Sequence, residues 1–556
     1  MIILRHLSSR AVGTYAEYQE GRRRQGLRHN TLRMFGIRFG FAVVLLSLTV
    51  APGWAGWAPD QAGEQLDKSG SDAPAETGSL PAKEPKRPLF DKGMEVFREA
   101  QNAPQTWKEY YWEKVAQARA EPWRETADEI LINDSEVEWR RYMRALVRAP
   151  EWLDVGLAHR MRYESLNNNF RVGGDPDIDG VTTRTRFRMG IDWKIFRFFG
   201  EGQNSSSIGE SGGATGTINS SLFSQDRLLQ AFVDIRLDNV LGTGLRSDLH
   251  IGRMTFDFGS RRLIARNEFR NTTNSFEGVH WNLAQGQIWR TRAFLVKPVS
   301  DTFGVLQADN DTVFWGVQIE DRHESWFLTD LYYFGINSNA TATIDRRNFG
   351  TYGARLFRTH APGEFDYESE TAFQVGTVGT QDLFAYFQHA ELGYMFAVPW
   401  RPHVRFQYDY ASGTSNPSGS SSHTFGNLFG ARNFEYTPTS VFGPFFRSNI
   451  STPGTRFTVQ PSDQLRLTLK YRAWYLAQSQ DAWVGSGLQD STGASGNFLG
   501  QDVEVRVDWQ WDTVTFWRVG YDHLFAGSYM QNLARVPGNP PGKDVDYFYI
   551  QTELRF

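Results

Sequence analysis

VTTRTRFRMGIDWK, residues Val181 to Lys194, alternates along its length. Phe187, Met189, Ile191 and Trp193 share one parity, and Arg184, Arg186, Arg188, Asp192 and Lys194 share the other. A period of two puts the first set on one face of a β-strand and the second on the opposite face. Three arginines on one face repel each other, so a dry core is a poor home for them. A water-filled lumen accepts them, with lipid against the apolar face.

The same period recurs along the chain from Trp152 onward. Leu153, Val155, Leu157, Met161 and Tyr163 alternate with Asp154, Arg160, Arg162 and Glu164. Leu229, Ala231, Val233, Ile235 and Leu237 alternate with Gln230, Asp234, Arg236 and Asp238. Phe365, Tyr367, Phe373 and Val375 alternate with Asp366, Glu368, Glu370 and Gln374, and similar runs surround Phe406, Leu467 and Val505. At the C-terminus Phe548, Ile550, Leu554 and Phe556 oppose Tyr549, Gln551, Glu553 and Arg555. A last strand ending in Phe suits a closing strand of an outer-membrane barrel. These runs reach the ~9–11 residues that a tilted transmembrane strand requires.

Composition agrees. The 556 residues include 41 Phe, 21 Tyr and 18 Trp, yet mean hydropathy is only -0.47. Abundant aromatics with a polar average fit interfacial girdles around a hydrophilic lumen, and Trp193, Trp509, Trp511 and Trp517 are girdle candidates. There is no cysteine, so disulfides and thiolate metal sites are excluded. The net charge of -4 says little about partners. The expected fold is therefore all-β and transmembrane. At ~20–25 residues per strand with its connection, residues 150–556 supply roughly 16 to 20 antiparallel strands.

Residues 1–58 read as a basic leader and secretory signal. Arg38 flanks the apolar run Phe39 to Val50, Ala55 offers a cleavage point, and Met34 is a candidate start. Residues 59–149 read as a linker and a small, partly helical periplasmic segment, a possible dock for a periplasmic partner. Asn204 to Ser221, Ser412 to Ser422, Gly485 to Asn497 and Val536 to Lys543 read as extracellular loops.

Two blocks carry a family resemblance. IGRMTFDFGSRRLIARNEFRNTTNSFEG, Ile251 to Gly278, and the segment His423 to Asn449, with Thr-Phe-x-x-Leu-Phe and Phe-x-x-Ser-Asn, resemble the alginate-export family of outer-membrane barrels. The resemblance implies an 18-stranded, monomeric barrel in the cell outer membrane that exports a polysaccharide, in the best-known case the polyanion alginate, through a basic lumen. This chain departs from that pattern in its slight negative charge and in the run Asp366, Glu368, Glu370.

A channel needs no nucleophile, and no phosphate loop is present. The expectation is a non-enzyme with outer-membrane lipid as its surroundings and no nucleic-acid partner. The candidate path residues are Arg160, Arg162, Arg184, Arg186, Arg188, Lys194, Arg466, Lys470 and Arg472, whose cations would pair with carboxylate sugars. Each is equally readable as one rung of a ladder with Asp154, Asp192, Asp366 and Glu368; the Arg184, Arg186, Arg188 triplet favours cargo. Arg253, Arg261, Arg262, Arg266, Arg270, Asn271 and Glu277 would belong to an inward loop that narrows the pore, touching cargo or clamping the loop to the wall. Asp175, Asp177 and Asp179 imitate a calcium loop, but its twelfth position is Arg186, so a turn is expected. The 11 histidines show no metal spacing, and no cofactor is expected. The expected cargo is an anionic polysaccharide or oligosaccharide, conducted passively, with a general or substrate-specific porin for small anionic solutes as the alternative reading.

Overall fold

The computed structural model describes residues 150 and 152–556, except 209–223, 287, 303–304, 324–325, 342–344 and 513. The leader, the signal and the segment 59–149 lie outside the described residues.

The strands are β1 (Leu153–Asn167), β2 (Ile178–Trp193), β3 (Phe196–Ile208), β4 (Ser224–Leu237), β5 (Arg246–Met254), β6 (Phe276–Gln285) and β7 (Trp289–Thr302). After these come β8 (Val305–Ala308), β9 (Thr312–Asp321), β10 (Leu328–Ser338), β11 (Arg347–Arg358), β12 (Glu364–Val378), β13 (Gln381–Met395) and β14 (His403–Ala411). The chain ends with β15 (Ser421–Ser422), β16 (Ile450–Ser462), β17 (Leu465–Tyr475), β18 (Phe498–Gln510), β19 (Thr515–Ala526) and β20 (Val545–Arg555).

Each wall strand pairs antiparallel with its neighbour, and β20 returns to pair with β1 from Ala158↔Arg555 to Asn167↔Asp546. The short β8 and β15 stand outside the ring, which makes an 18-strand closed barrel. Closure leaves no open strand edge in lipid, where unpaired backbone groups are costly.

Burial follows the sequence parity. In β2, Thr182, Arg184, Arg186 and Arg188 are buried on the lumen side, while Phe187, Met189 and Trp193 are 55%, 44% and 56% exposed on the outer side. Trp152, Trp326, Trp400 and Trp511 stand exposed beside the short turns, where an aromatic girdle belongs. Two register details were not legible in advance. The β3–β4 ladder shifts between Glu201 and Gly202, so Leu228 faces out and Leu229 is fully buried. This is the signature of a bulge, which inserts one residue and reverses parity beyond it. In addition, Asn204 to Ile208 continues β3 rather than opening a loop.

The barrel's end fits its terminus. Leu157 donates its N–H to the Phe556 carbonyl at 2.9 Å, and Phe556 donates back to Leu157 at 2.7 Å. Deleting Phe556 removes this reciprocal pair at the closing seam. The expected outcome is less heat-modifiable barrel in isolated outer membranes, read by gel shift; full heat modifiability would show that the seam closes without it.

Candidate functional site: an inward loop clamped across the lumen

The connection from 255 to 275, between β5 and β6, turns into the barrel. Its buried members include Phe256, Phe258, Leu263, Ile264, Phe269 and Asn271. A second connection, 412–449 between β14 and β16, also turns inward and buries Phe425, Glu435, Tyr436, Phe442 and Phe445. The two connections join by backbone hydrogen bonds. Phe429 donates to Leu263 at 2.8 Å, Ala265 to Phe429 at 3.1 Å and Ala431 to Arg261 at 2.9 Å. Gly430 sits so close that an added Cβ would lie 1.8 Å from the Arg262 carbonyl oxygen. Only glycine fits this approach.

The arginines of β1 and β2 face inward, as their parity requires, and meet the first loop rather than open water. Arg160 donates to the carbonyls of Glu268 and Phe269, both at 3.0 Å, and to Asn271 Oδ1 at 2.9 Å. Arg162 donates to the Phe269 carbonyl at 2.8 Å and stacks over its ring at 4.3 Å. Arg184 donates to the Glu268 carbonyl at 2.8 Å, and Arg186 reaches the Glu268 carboxylate at 2.6 Å. Arg188 is buried on the same face. The like-charged face is thus neutralised by carbonyl dipoles, by Glu268 of the loop and by wall carboxylates, with Glu164 3.3 Å from Arg162 and Glu553 3.9 Å from Arg184.

The opposite flank is acidic. Arg262 donates to Glu370 at 2.6 Å and also to Glu368 of the same strand, β12. Its other nitrogens engage Glu435 of the second loop, at 3.0 Å through Nε. Arg447 closes on Glu435 at 2.5 Å. Arg266 bridges the root of the loop to Glu201 of β3 at 2.7 Å. The loop 255–275 therefore spans the lumen, held by an arginine wall on one flank and by carboxylates on the other. Burial works against ionisation of Glu435, yet Arg262, then His389 and Arg447, outweigh it and hold the carboxyl well below the usual range. Glu268 is depressed in the same way, with Arg186 and then Arg266 outweighing burial.

Some expected positions differ. Lys194 does not line the wall: β2 ends at Trp193, and Lys194 is an exposed turn residue at φ 55°. Its parity was right, but the strand ended one residue earlier. Arg253 and Glu277 do not line the inward loop. They share the outward parity of Ile251 and Val279 and pair with each other at 2.9 Å. Arg270 and Asn271 do lie on the loop, and Arg270 donates to Asn274 at 2.6 Å. On the far wall, Arg466 pairs with Asp508 at 3.0 Å, Lys470 with Glu504 at 2.7 Å and Arg472 with Asp409 at 2.9 Å. These three complete wall ladders.

Two arginines that sequence reasoning did not nominate stand apart. Arg171 donates to the Val441 carbonyl at 2.8 Å and also to that of Phe442. Arg432 donates to the Phe445 carbonyl at 2.7 Å and lies 3.4 Å over the Phe446 ring. Neither makes an ion pair among the described residues. Burial lowers Arg171 to about 10. Burial, then Arg270, Arg447 and Arg171, push Arg432 well below the ordinary guanidinium value. The loops thus gather guanidinium groups whose charge nearby carboxylates only partly cancel.

Residues 151–539 match the family described as "Alginate export". This chain belongs to the alginate export family. Among solved structures it is similar to a BenF-like porin from Pseudomonas fluorescens Pf-5, at 10% identity over 73% of this chain and 99% of that one, TM-score 0.50. It is also similar to Acinetobacter baumannii OccAB2, at 10% identity over 73% and 98% of the two chains, TM-score 0.49. The OprD outer membrane protein from Pseudomonas aeruginosa matches at 10% identity over 73% and 94%, TM-score 0.45. No curated protein matches. Family and fold together make this alginate-export member an outer-membrane channel.

Two tests follow from the clamp. Arg262→Ala leaves the buried carboxylates Glu368, Glu370 and Glu435 without their shared cation, and breaking such a pair costs about 3–5 kcal/mol. The expected outcome is a folded barrel with a lower Tm and faster proteolysis within 255–275. For pH, both depressed carboxyls contribute stability that is fully present above their unfolded value of about 4.3 and lost only as pH falls through the lower folded values. Protease resistance of the loop should therefore stay flat from about pH 8 to 5 and fall only in stronger acid. A loss centred near pH 6 would contradict this assignment.

Proposed function

We propose that this alginate-export channel passively conducts an anionic polysaccharide or oligosaccharide. The observation that carries the reading is the convergence of Arg171 and Arg432, two half-buried guanidinium groups paired to carbonyls rather than carboxylates, on the inward loops. A carboxylate entering there replaces a weak dipole partner with a bidentate charged one. On the far wall, Arg466, Lys470 and Arg472 offer no comparable gain, since each already has its anion. Binding shared among several sites, none very strong, lets cargo move on.

A porin for small anions is the second reading. It is supported by how much of the lumen the two inward connections fill, with Phe258, Phe269, Tyr436 and Phe445 all buried inside it. Both readings use the same cations and differ in the width the path must reach. On either reading, residues 59–149 serve as a periplasmic appendage that docks a partner, and the barrel works as a monomer.

Planar-bilayer recordings test the reading. Arg171→Gln with Arg432→Gln is expected to shift the reversal potential toward cations and to weaken block by oligouronate. Block by oligouronate but not by a neutral oligosaccharide of equal length supports the polysaccharide reading. Anion selectivity with no oligouronate block supports the porin. An unchanged reversal potential in the double variant removes these arginines from the path.

A further inference from the structure

The outer face of β5, β6 and β7 changes character along its height. Ile251, Val279 and Leu295 stand directly opposed on the three strands and are 45%, 40% and 59% exposed. The next outward row toward the long connections is Arg253, Glu277 and Lys297, again directly opposed. Residues two apart on a strand share a face, so this charged row lies on the lipid side with the apolar one. None of its three members serves the lumen.

The height of the row limits what it can meet. A short turn joins β6 to β7 between Gln285 and Trp289, at the end opposite the long connection 255–275. In such barrels short turns are periplasmic and long connections extracellular. Lys297 is eight residues beyond Trp289 on β7. At ~3.4 Å per residue and a strand tilt of ~40°, the row stands about 20 Å above that turn. The apolar band of such a wall is ~25 Å tall, so the row reaches the outer-leaflet boundary. A cation on the lipid face is costly at the bilayer midplane and tolerated only near such a boundary.

The row holds two cations and one carboxylate. Arg253 donates to Glu277 at 2.9 Å and to the Leu228 carbonyl at 3.2 Å. Lys297 donates to the amide oxygen of Asn310 at 3.0 Å and makes no ion pair among the described residues. Two other outward side chains near the extracellular strand ends are acidic. Asp179 accepts from Tyr163 at 2.9 Å, and Asp546 lies 2.7 Å from His523 Nδ1. The excess positive charge is thus local to β5–β7.

We propose that Arg253 and Lys297 bind a phosphate group of a glycolipid in the outer leaflet. A guanidinium fork and an ammonium both suit a phosphate, and basic residues at a membrane boundary attract anionic headgroups. The occupant is a lipid, because the row directly below offers Ile251, Val279 and Leu295 to acyl chains, a surface that a free phosphate cannot use. Such a contact would fix the orientation of the wall beside the inward loop, which leaves β5 directly after Met254.

The test is native mass spectrometry of the full-length folded barrel, titrated with diphosphorylated lipid A, its dephosphorylated form and phosphatidylglycerol. The expected result is that the diphosphorylated glycolipid is retained more than tenfold more tightly than either of the others. Lys297→Gln should weaken its retention several-fold, and Arg253→Gln with Lys297→Gln should abolish the preference, while both proteins stay heat-modifiable. Lys194→Gln, at the exposed periplasmic turn after β2, should retain the lipid as the parent does. Equal retention of the phosphorylated and dephosphorylated forms by the parent would overturn the proposal. So would equal retention of phosphatidylglycerol, or a preference that survives in the double variant.

Discussion

A single guanidinium, Arg262, ties the interior together. It is buried and meets three carboxylates, two from β12 and one from the connection 412–449. Buried carboxylates that close repel each other strongly, and each alone is costly to desolvate. Without a cation among them, Glu368, Glu370 and Glu435 could not share this space. The same side chain belongs to the connection 255–275, so one interaction positions both inward segments and the wall they rest on. Glu368 and Glu370 of the acidic run on β12, which sets this chain apart from a uniformly basic lumen, are the counter-charge for that residue.

The barrel's interior is therefore a composed surface, not a row of free wall charges. Arginines on β1 and β2 look like cargo ligands when the strand is read alone. In the folded chain they meet backbone carbonyls and the Glu268 carboxylate of a segment some eighty to a hundred and ten residues away. This is a sensible use of a guanidinium, whose five donors can satisfy several backbone oxygens that have no strand partner. It moves the candidate cargo contacts from the wall to the loops, where Arg171 and Arg432 keep partially compensated charge.

Much of the fold was legible because a period of two is a direct readout of a wall with two different solvents. Thr182 to Trp193 falls on the faces its pattern assigns, and the terminal Phe556 sits at the seam. The inward loop was legible as a block, and the two family-like segments meet at Ile264 and Phe429. Partners were not legible. Periodicity gives a residue's face and says nothing of what covers that face, so the Arg184 triplet read as exposed cation. Strand ends and bulges escaped for a related reason: Lys194 and Leu229 continue a pattern that the backbone does not.

The central claim is that the connections 255–275 and 412–449 are fixed parts of the lumen. Amide hydrogen exchange on the full-length barrel measures this most directly. The amides of Ala265, Asn274, Phe429 and Ala431 donate to backbone carbonyls within the clamp. The account predicts that they exchange as slowly as amides of the surrounding strands, under conditions where the exposed loop residues Gly538 and Lys543 exchange freely. Exchange of those four amides at the rate of open loops would show that the lumen is not clamped, and the account would fail.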